Sequence, residues 1–134
     1  MPLELSYLTA SIAVYGVMIL VQAAVSNLSH GAASLAGARD RLGADSLMEA
    51  RAKRASQNMV EALLLFAPLV LVAHATGRLN EMTELGAGLF LGARIAYAPL
   101  YWLGVPWLRS LAWALGFVGT LLVFLQVLPF SGGA

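Results

Sequence analysis

MVEALLLFAPLVLVAHA, residues 59–75, carries a single charged side chain, Glu61, in an otherwise apolar run that contains a proline. Three similar runs flank it. Residues 7–25 have no charge, 85–103 have only Arg94, and 111–128 have none. About 20 mostly apolar residues span the ~30 Å hydrocarbon core of a bilayer as a helix. Helices are favoured there because a backbone in lipid must satisfy its own hydrogen bonds. The whole chain agrees with this reading: of 134 residues, 60% are hydrophobic and 11% charged, and the mean hydropathy is +0.78. So few polar groups could not cover a soluble globule.

The second helix is expected to begin ahead of its apolar run. Ser46 followed by Glu49 has the pattern of a capping box, and Gly77 can stop the helix. From Ser46 to Thr76 the helix would be about 45 Å long, so its first turns should project into the aqueous interface. Short connections at 77–83 and 104–107 force antiparallel neighbours. The predicted architecture is an all-α integral membrane protein, an up-down four-helix transmembrane bundle forming one domain over residues 1–134. Residues 28–45, rich in Gly, Ala and Ser with Arg39, Asp40 and Arg41, form the one long connection.

Composition also excludes functions. A net charge of +1 and few, confined basic residues give no face for nucleic acid. The absence of cysteine removes disulfides, thiolate metal sites and a cysteine nucleophile. Two histidines, His30 and His74, are too few and too far apart in sequence for a metal site of ordinary spacing, so no metal is expected. The first apolar run lacks a basic flank and is long for a signal peptide; it is expected to stay as a membrane helix. Arg39, Arg41, Arg51, Lys53, Arg54 and Arg109 gather on one side and only Arg78 on the other. The excess of basic residues on the cytoplasmic side then places both termini outside the cytoplasm.

Two polar seams stand out. Arg51, Arg54, Asn58 and Glu61, at spacings of three, four and three, share a stripe roughly 80° wide that descends into the membrane. Arg94, Tyr97 and Tyr101 share one about 60° wide on the third helix, rising to the same side. An arginine at the centre of a span costs roughly 2.5–3.5 kcal/mol on insertion scales, so Arg94 should face protein, a cavity or a carboxylate, with Glu61 as the candidate counter-charge. Arg51, Lys53 and Arg54 also suit ordinary interfacial snorkelling, Asn58 a plain interhelical hydrogen bond, and the tryptophans an aromatic belt. Gly88 and Gly92 offer a small-residue pair for close helix approach, and Ser11, Tyr15, Gln22 and Ser26 a weak seam for packing of helix one.

The motif Arg54-Ala55-x-x-Asn58-x-x-Glu61, followed by Pro68, resembles the second helix of the membrane-associated proteins in eicosanoid and glutathione metabolism, the MAPEG family. Arg94-Ile95-Ala96-Tyr97 with Tyr101 is similar to that family's third helix. The resemblance implies a homotrimer that binds glutathione as co-substrate at its subunit interfaces, near the cytoplasmic face; the expected location is a bacterial inner membrane. It implies that Arg51, Arg54, Asn58, Glu61 and Arg94 hold the tripeptide, that Tyr97, Tyr101 or Arg109 assist the thiolate, and that the membrane lipid delivers a lipophilic electrophile or hydroperoxide. The chain departs from the pattern at Ala62, where an aromatic residue is common, and at Asn27 and His30, where a basic residue is common. Arg109 stands close to the position of the thiol-activating arginine. The alternative is a non-catalytic trimeric membrane scaffold, or a small subunit of a larger membrane complex. A third reading, an ion path through Glu61 and Arg94, lacks a continuous polar route beyond His74.

Overall fold

The computed structural model describes residues 1–31 and 45–129, which form four α-helices and no strands. They are α1 (Leu3–His30), α2 (Leu47–Ala75), α3 (Glu81–Trp102) and α4 (Pro106–Gln126). The segment with Arg39, Asp40 and Arg41, which supplies part of the charge asymmetry, lies outside the described residues. At 28 and 29 residues, α1 and α2 are each about 42–44 Å long. Both exceed a hydrocarbon core, as the sequence predicts for α2.

The helix ends follow local chemistry. Ser46 caps α2, its hydroxyl accepting from the Glu49 N–H. After α2, Gly77 takes φ 69°, a left-handed conformation that costs glycine little. Asn80 caps α3, accepting from the Met82 and Thr83 N–H groups while Thr83 Oγ1 accepts from the Asn80 N–H. This reciprocal cap starts α3 at Glu81, inside the segment expected to be a loop. Pro106 opens α4, where its missing N–H costs nothing.

Cross-helix bonds establish the antiparallel order. The end of α1 meets the start of α2 through His30 and Glu49, the start of α2 meets the end of α3 through Arg54 and Tyr101, and the start of α3 meets the end of α4 through Asn80 and Gln126. Laterally, α1 packs on α2 and α3, and α3 packs most extensively on α4; α1 and α4 do not touch. The core includes Met18, Met59, Phe66, Phe90 and Val123, with Phe66 and Phe90 stacked at 3.9 Å.

The close approach expected at Gly88 and Gly92 is found elsewhere. A Cβ on Gly86 would lie 2.5 Å from the Gly119 carbonyl oxygen, and one on Gly119 2.5 Å from the Gly86 oxygen. Thus α3 and α4 cross backbone against backbone at Gly86 and Gly119. Gly88 instead seats the Tyr7 ring, and a Cβ on Gly92 would meet open space. Three helices, α1, α2 and α4, are long and apolar enough to cross a membrane. The 22-residue α3 dilutes its apolar residues with Glu81, Glu84, Arg94 and three glycines, and lies against α4.

Candidate functional site

The start of α2, the end of α3 and the start of α4 meet at one end of the bundle, and the basic residues Arg51, Lys53, Arg54 and Arg109 are there; we refer to it as the basic end. Position on a helix decides which of them meet. Arg54 lies over Tyr101 and donates from Nε to its hydroxyl at 3.1 Å. Arg109, from the first turn of α4, stacks its guanidinium 4.7 Å from the centre of the same ring. Tyr97 lies one turn earlier, 5.5 Å from Tyr101, with the Arg94 guanidinium 4.7 Å from its ring. Three arginines and two tyrosines are therefore interleaved in one cluster. A desolvated cation over an aromatic face contributes roughly 0.5–2 kcal/mol, so the rings help hold the cations in place.

Arg94 is only 3% exposed. Its Nη1 donates to Asn58 Oδ1 at 2.7 Å, so the neighbour that satisfies it is an amide and not Glu61. Glu61 lies exposed on the surface of the chain and accepts from Gln57 Nε2 at 3.1 Å. The direct Arg94–Glu61 pair expected from the sequence is therefore not formed, because the next turn of α2 turns Glu61 outward. Arg51 turns away from the tyrosines and donates to the Trp102 carbonyl at 3.4 Å. Lys53 is likewise committed, with both Asp45 carboxylate oxygens 3.0 Å from its Nζ.

Asn58, Glu61 and Arg94 do share a cavity of about 160 Å³, lined also by Ala62, Leu65, Phe90, Trp113, Gly116, Phe117 and Thr120. The α4 wall went unread in the sequence. Its signal was present: 113, 116, 117 and 120 stand at the i, i+3, i+4 and i+7 positions of a single helix face. The α2 wall at 58, 61, 62 and 65 has the same spacing.

A second polar cluster sits where α1 ends. His30 Nε2 lies 2.8 Å from Glu49 Oε1, and atoms of His30, Asp45 and Glu49 gather within 4.8 Å. These three could ligate a cation, but they already satisfy one another and Lys53. The Ser26 hydroxyl first, and then His30, hold the Glu49 carboxyl at about 2 against the opposing effect of burial. The cluster therefore fastens α1 to α2. Of the weak α1 seam, Ser11 and Ser26 are buried; Ser11 is satisfied within its own helix, by the Tyr7 carbonyl.

The model of the MAPEG family matches residues 7–129. No curated protein and no solved structure matches the chain.

Proposed function

The chain belongs to the MAPEG family and is an integral membrane helical bundle, and we propose that it is a glutathione transferase or glutathione-dependent peroxidase acting on lipophilic substrates. The observation that carries this reading is the cluster at the basic end, where Arg54 and Arg109 converge on Tyr101 and Arg94 on Tyr97. Glutathione bears two carboxylates and one ammonium. Guanidinium groups bind carboxylates in a forked geometry, and exposed Glu61 offers a partner for the ammonium. Arg51 is the weakest member of the binding set, because its guanidinium is turned to Trp102.

A free cysteine thiol ionises near about 8.5, and nearby cations lower that value. Arg54 and Arg109 would supply that field, and the Tyr101 hydroxyl, already accepting from Arg54, is free to donate to a thiolate. In conjugation the sulfur forms a bond to the electrophilic carbon, the leaving group departs with its electron pair, and the thiol proton goes to solvent. In the peroxidase variant two thiols are oxidised to a disulfide while a hydroperoxide becomes an alcohol and water. The assembly proposed is a homotrimer with the basic end in the cytoplasm and both termini outside.

Calorimetry with glutathione tests this. Wild type is expected to bind, and Arg54→Ala to bind at least tenfold more weakly. Absence of binding to the wild-type protein removes the function.

The second reading, a trimeric scaffold without chemistry, is favoured by one observation. His30, the residue nearest the place of the family's basic residue on α1, is committed to Glu49. Turnover of an aromatic chloride with glutathione decides for the enzyme; stable co-purification with other membrane subunits and no turnover decides for the scaffold.

A further inference from the structure

Where α1 ends and α2 begins, the fold gathers a set of donors that neither helix carries alone. His30 comes from the last turn of α1, Asp45 from just ahead of the Ser46 cap, and Glu49 from the first turn of α2. One ligand atom of each lies within 4.8 Å of the other two, and His30 Nε2 is 2.8 Å from Glu49 Oε1. Adjacent ligand atoms on a cation with bonds of ~2.0–2.2 Å stand about 3.0–3.4 Å apart, and opposite ones about 4.2 Å. Small side-chain rotations therefore bring all three onto one ion, with both helices left in place.

Charge favours such an ion. The Glu49 side chain is 1% exposed and is held by the Ser26 hydroxyl and the His30 imidazole. Among the described residues, the one permanent cation at the two carboxylates is the Lys53 ammonium, and it sits on Asp45. A buried carboxylate is costly without a full opposite charge, and a divalent ion would balance both groups. Lys53 is easily displaced, because the two side chains of its pair are 44% and 35% exposed and exposed pairs contribute little. Asp45 is the exposed member of the three and leaves a way in from water, ahead of the apolar run that starts at Met59. The negative end of the α1 dipole attracts a cation and the positive end of α2 repels it, so the two roughly offset.

The donors select the class of ion. One imidazole and two carboxylates suit a borderline divalent metal such as Zn²⁺, whereas Ca²⁺ and Mg²⁺ favour all-oxygen sets. The spacing of the two histidines gave no sign of this, because the set uses only one of them and takes the rest from across the α1–α2 contact.

We propose that His30, Asp45 and Glu49 bind one Zn²⁺-class divalent cation, which replaces the His30–Glu49 hydrogen bond and the Lys53 ammonium and clamps the end of α1 to the start of α2. Water completes the coordination. The ion takes the lone pair of one imidazole nitrogen; its proton moves to the other ring nitrogen from the neutral form, or to solvent from the imidazolium. The ion is structural, and the site stands independently of the glutathione reading. It is measured without glutathione, whose thiolate would itself ligate the metal.

The test is calorimetric titration with Zn²⁺ of untagged protein in non-ionic detergent, stripped with EDTA and dialysed. Saturable binding of one ion per chain is expected, together with a higher Tm. His30→Ala should weaken binding at least tenfold, since loss of even an outer-shell partner costs ~10–100-fold. Asp45→Asn, a conservative change at an exposed position, should weaken it at least fivefold. Lys53→Ala removes the competing ammonium and should tighten it severalfold. His74→Ala, at the far end of α2, should leave it unchanged. Melting in EDTA checks that each variant is folded; if His30→Ala is not, the opposite shifts of Asp45→Asn and Lys53→Ala decide. Absence of saturable binding to wild type, no shift in Asp45→Asn and Lys53→Ala, unchanged binding in a folded His30→Ala protein, or loss of binding in His74→Ala would overturn the proposal.

Discussion

Asn58 is the residue that makes a buried Arg94 tolerable, and this can be measured. Asn58→Leu removes the acceptor of the 2.7 Å bond and adds a second orphaned donor to a guanidinium whose Nε is already unpaired. The expected loss is about 1–3 kcal/mol in detergent melting. Glu61→Gln keeps an acceptor for Gln57 and leaves the Asn58–Arg94 bond in place, so it should cost less than Asn58→Leu. Arg94→Leu combined with Asn58→Leu should cost less than the sum of the single changes, whereas Arg94→Leu with Glu61→Gln should be additive. The reverse pattern would show that Glu61 is the true partner. The two seams were legible because three-four spacing fixes a face on any helix. Their pairing was not, because which polar group reaches a guanidinium depends on the rotation of α2 against α3. Glu49 gives a pH test, since it precedes the apolar run that starts at Met59. Its carboxyl is lowered from 4.5 to about 2. A folded value below the unfolded one means that its stabilisation is complete above pH 4.5 and is lost as pH falls toward 2. The melting gap between wild type and Glu49→Gln should be widest near neutrality and close progressively below pH 4.5; a gap that is constant with pH would rule out that origin.

Helices α3 and α4 are joined by absent side chains rather than by present ones. Each of Gly86 and Gly119 would drive a Cβ to 2.5 Å from the other's carbonyl oxygen, and Gly119 also to 2.9 Å from the Phe90 nitrogen. Backbone cannot give way as a flexible side chain can. Gly119→Ala and Gly86→Ala should therefore each destabilise by about 1–3 kcal/mol or more, and should loosen α3 from α4 in hydrogen exchange. Gly92→Ala meets nothing within 4 Å and should be neutral, or stabilising by up to about 1 kcal/mol through helix propensity. Equal effects at all three positions would refute the backbone crossing. The sequence offered several glycines on α3 and no means of choosing among them, since the choice belongs to the partner helix. The start of α3 was more accessible. Asn80 with Thr83 three residues on is a capping pattern, although the more familiar form ends in Glu or Gln.

The antiparallel order of α2, α3 and α4 was readable because connections of a few residues leave no other path. The lateral order was not. A helix facing lipid on one side and protein on the other is apolar on both, so periodicity does not distinguish a packed face from a lipid one. Only polar residues mark the difference, and one polar stripe remains uncovered. Arg54, Gln57 and Glu61 are all exposed on the chain, and at 100° per residue they fall within about 60° on α2. Glu61 lies within the apolar run, where an ionised carboxylate against lipid is costly. A neighbouring copy packed over this stripe would remove that cost, in accord with the proposed trimer. Because the sequence contains no cysteine, single cysteines can map the contact without background. Gln57→Cys should form intersubunit disulfides under mild oxidation in native membranes. Leu20→Cys, on an apolar surface of α1 that is 69% exposed, should not. Native mass measurement in detergent should give three chains for both variants. A single-chain mass together with no disulfide at Gln57→Cys would leave Glu61 facing lipid or water and would eliminate the homotrimer.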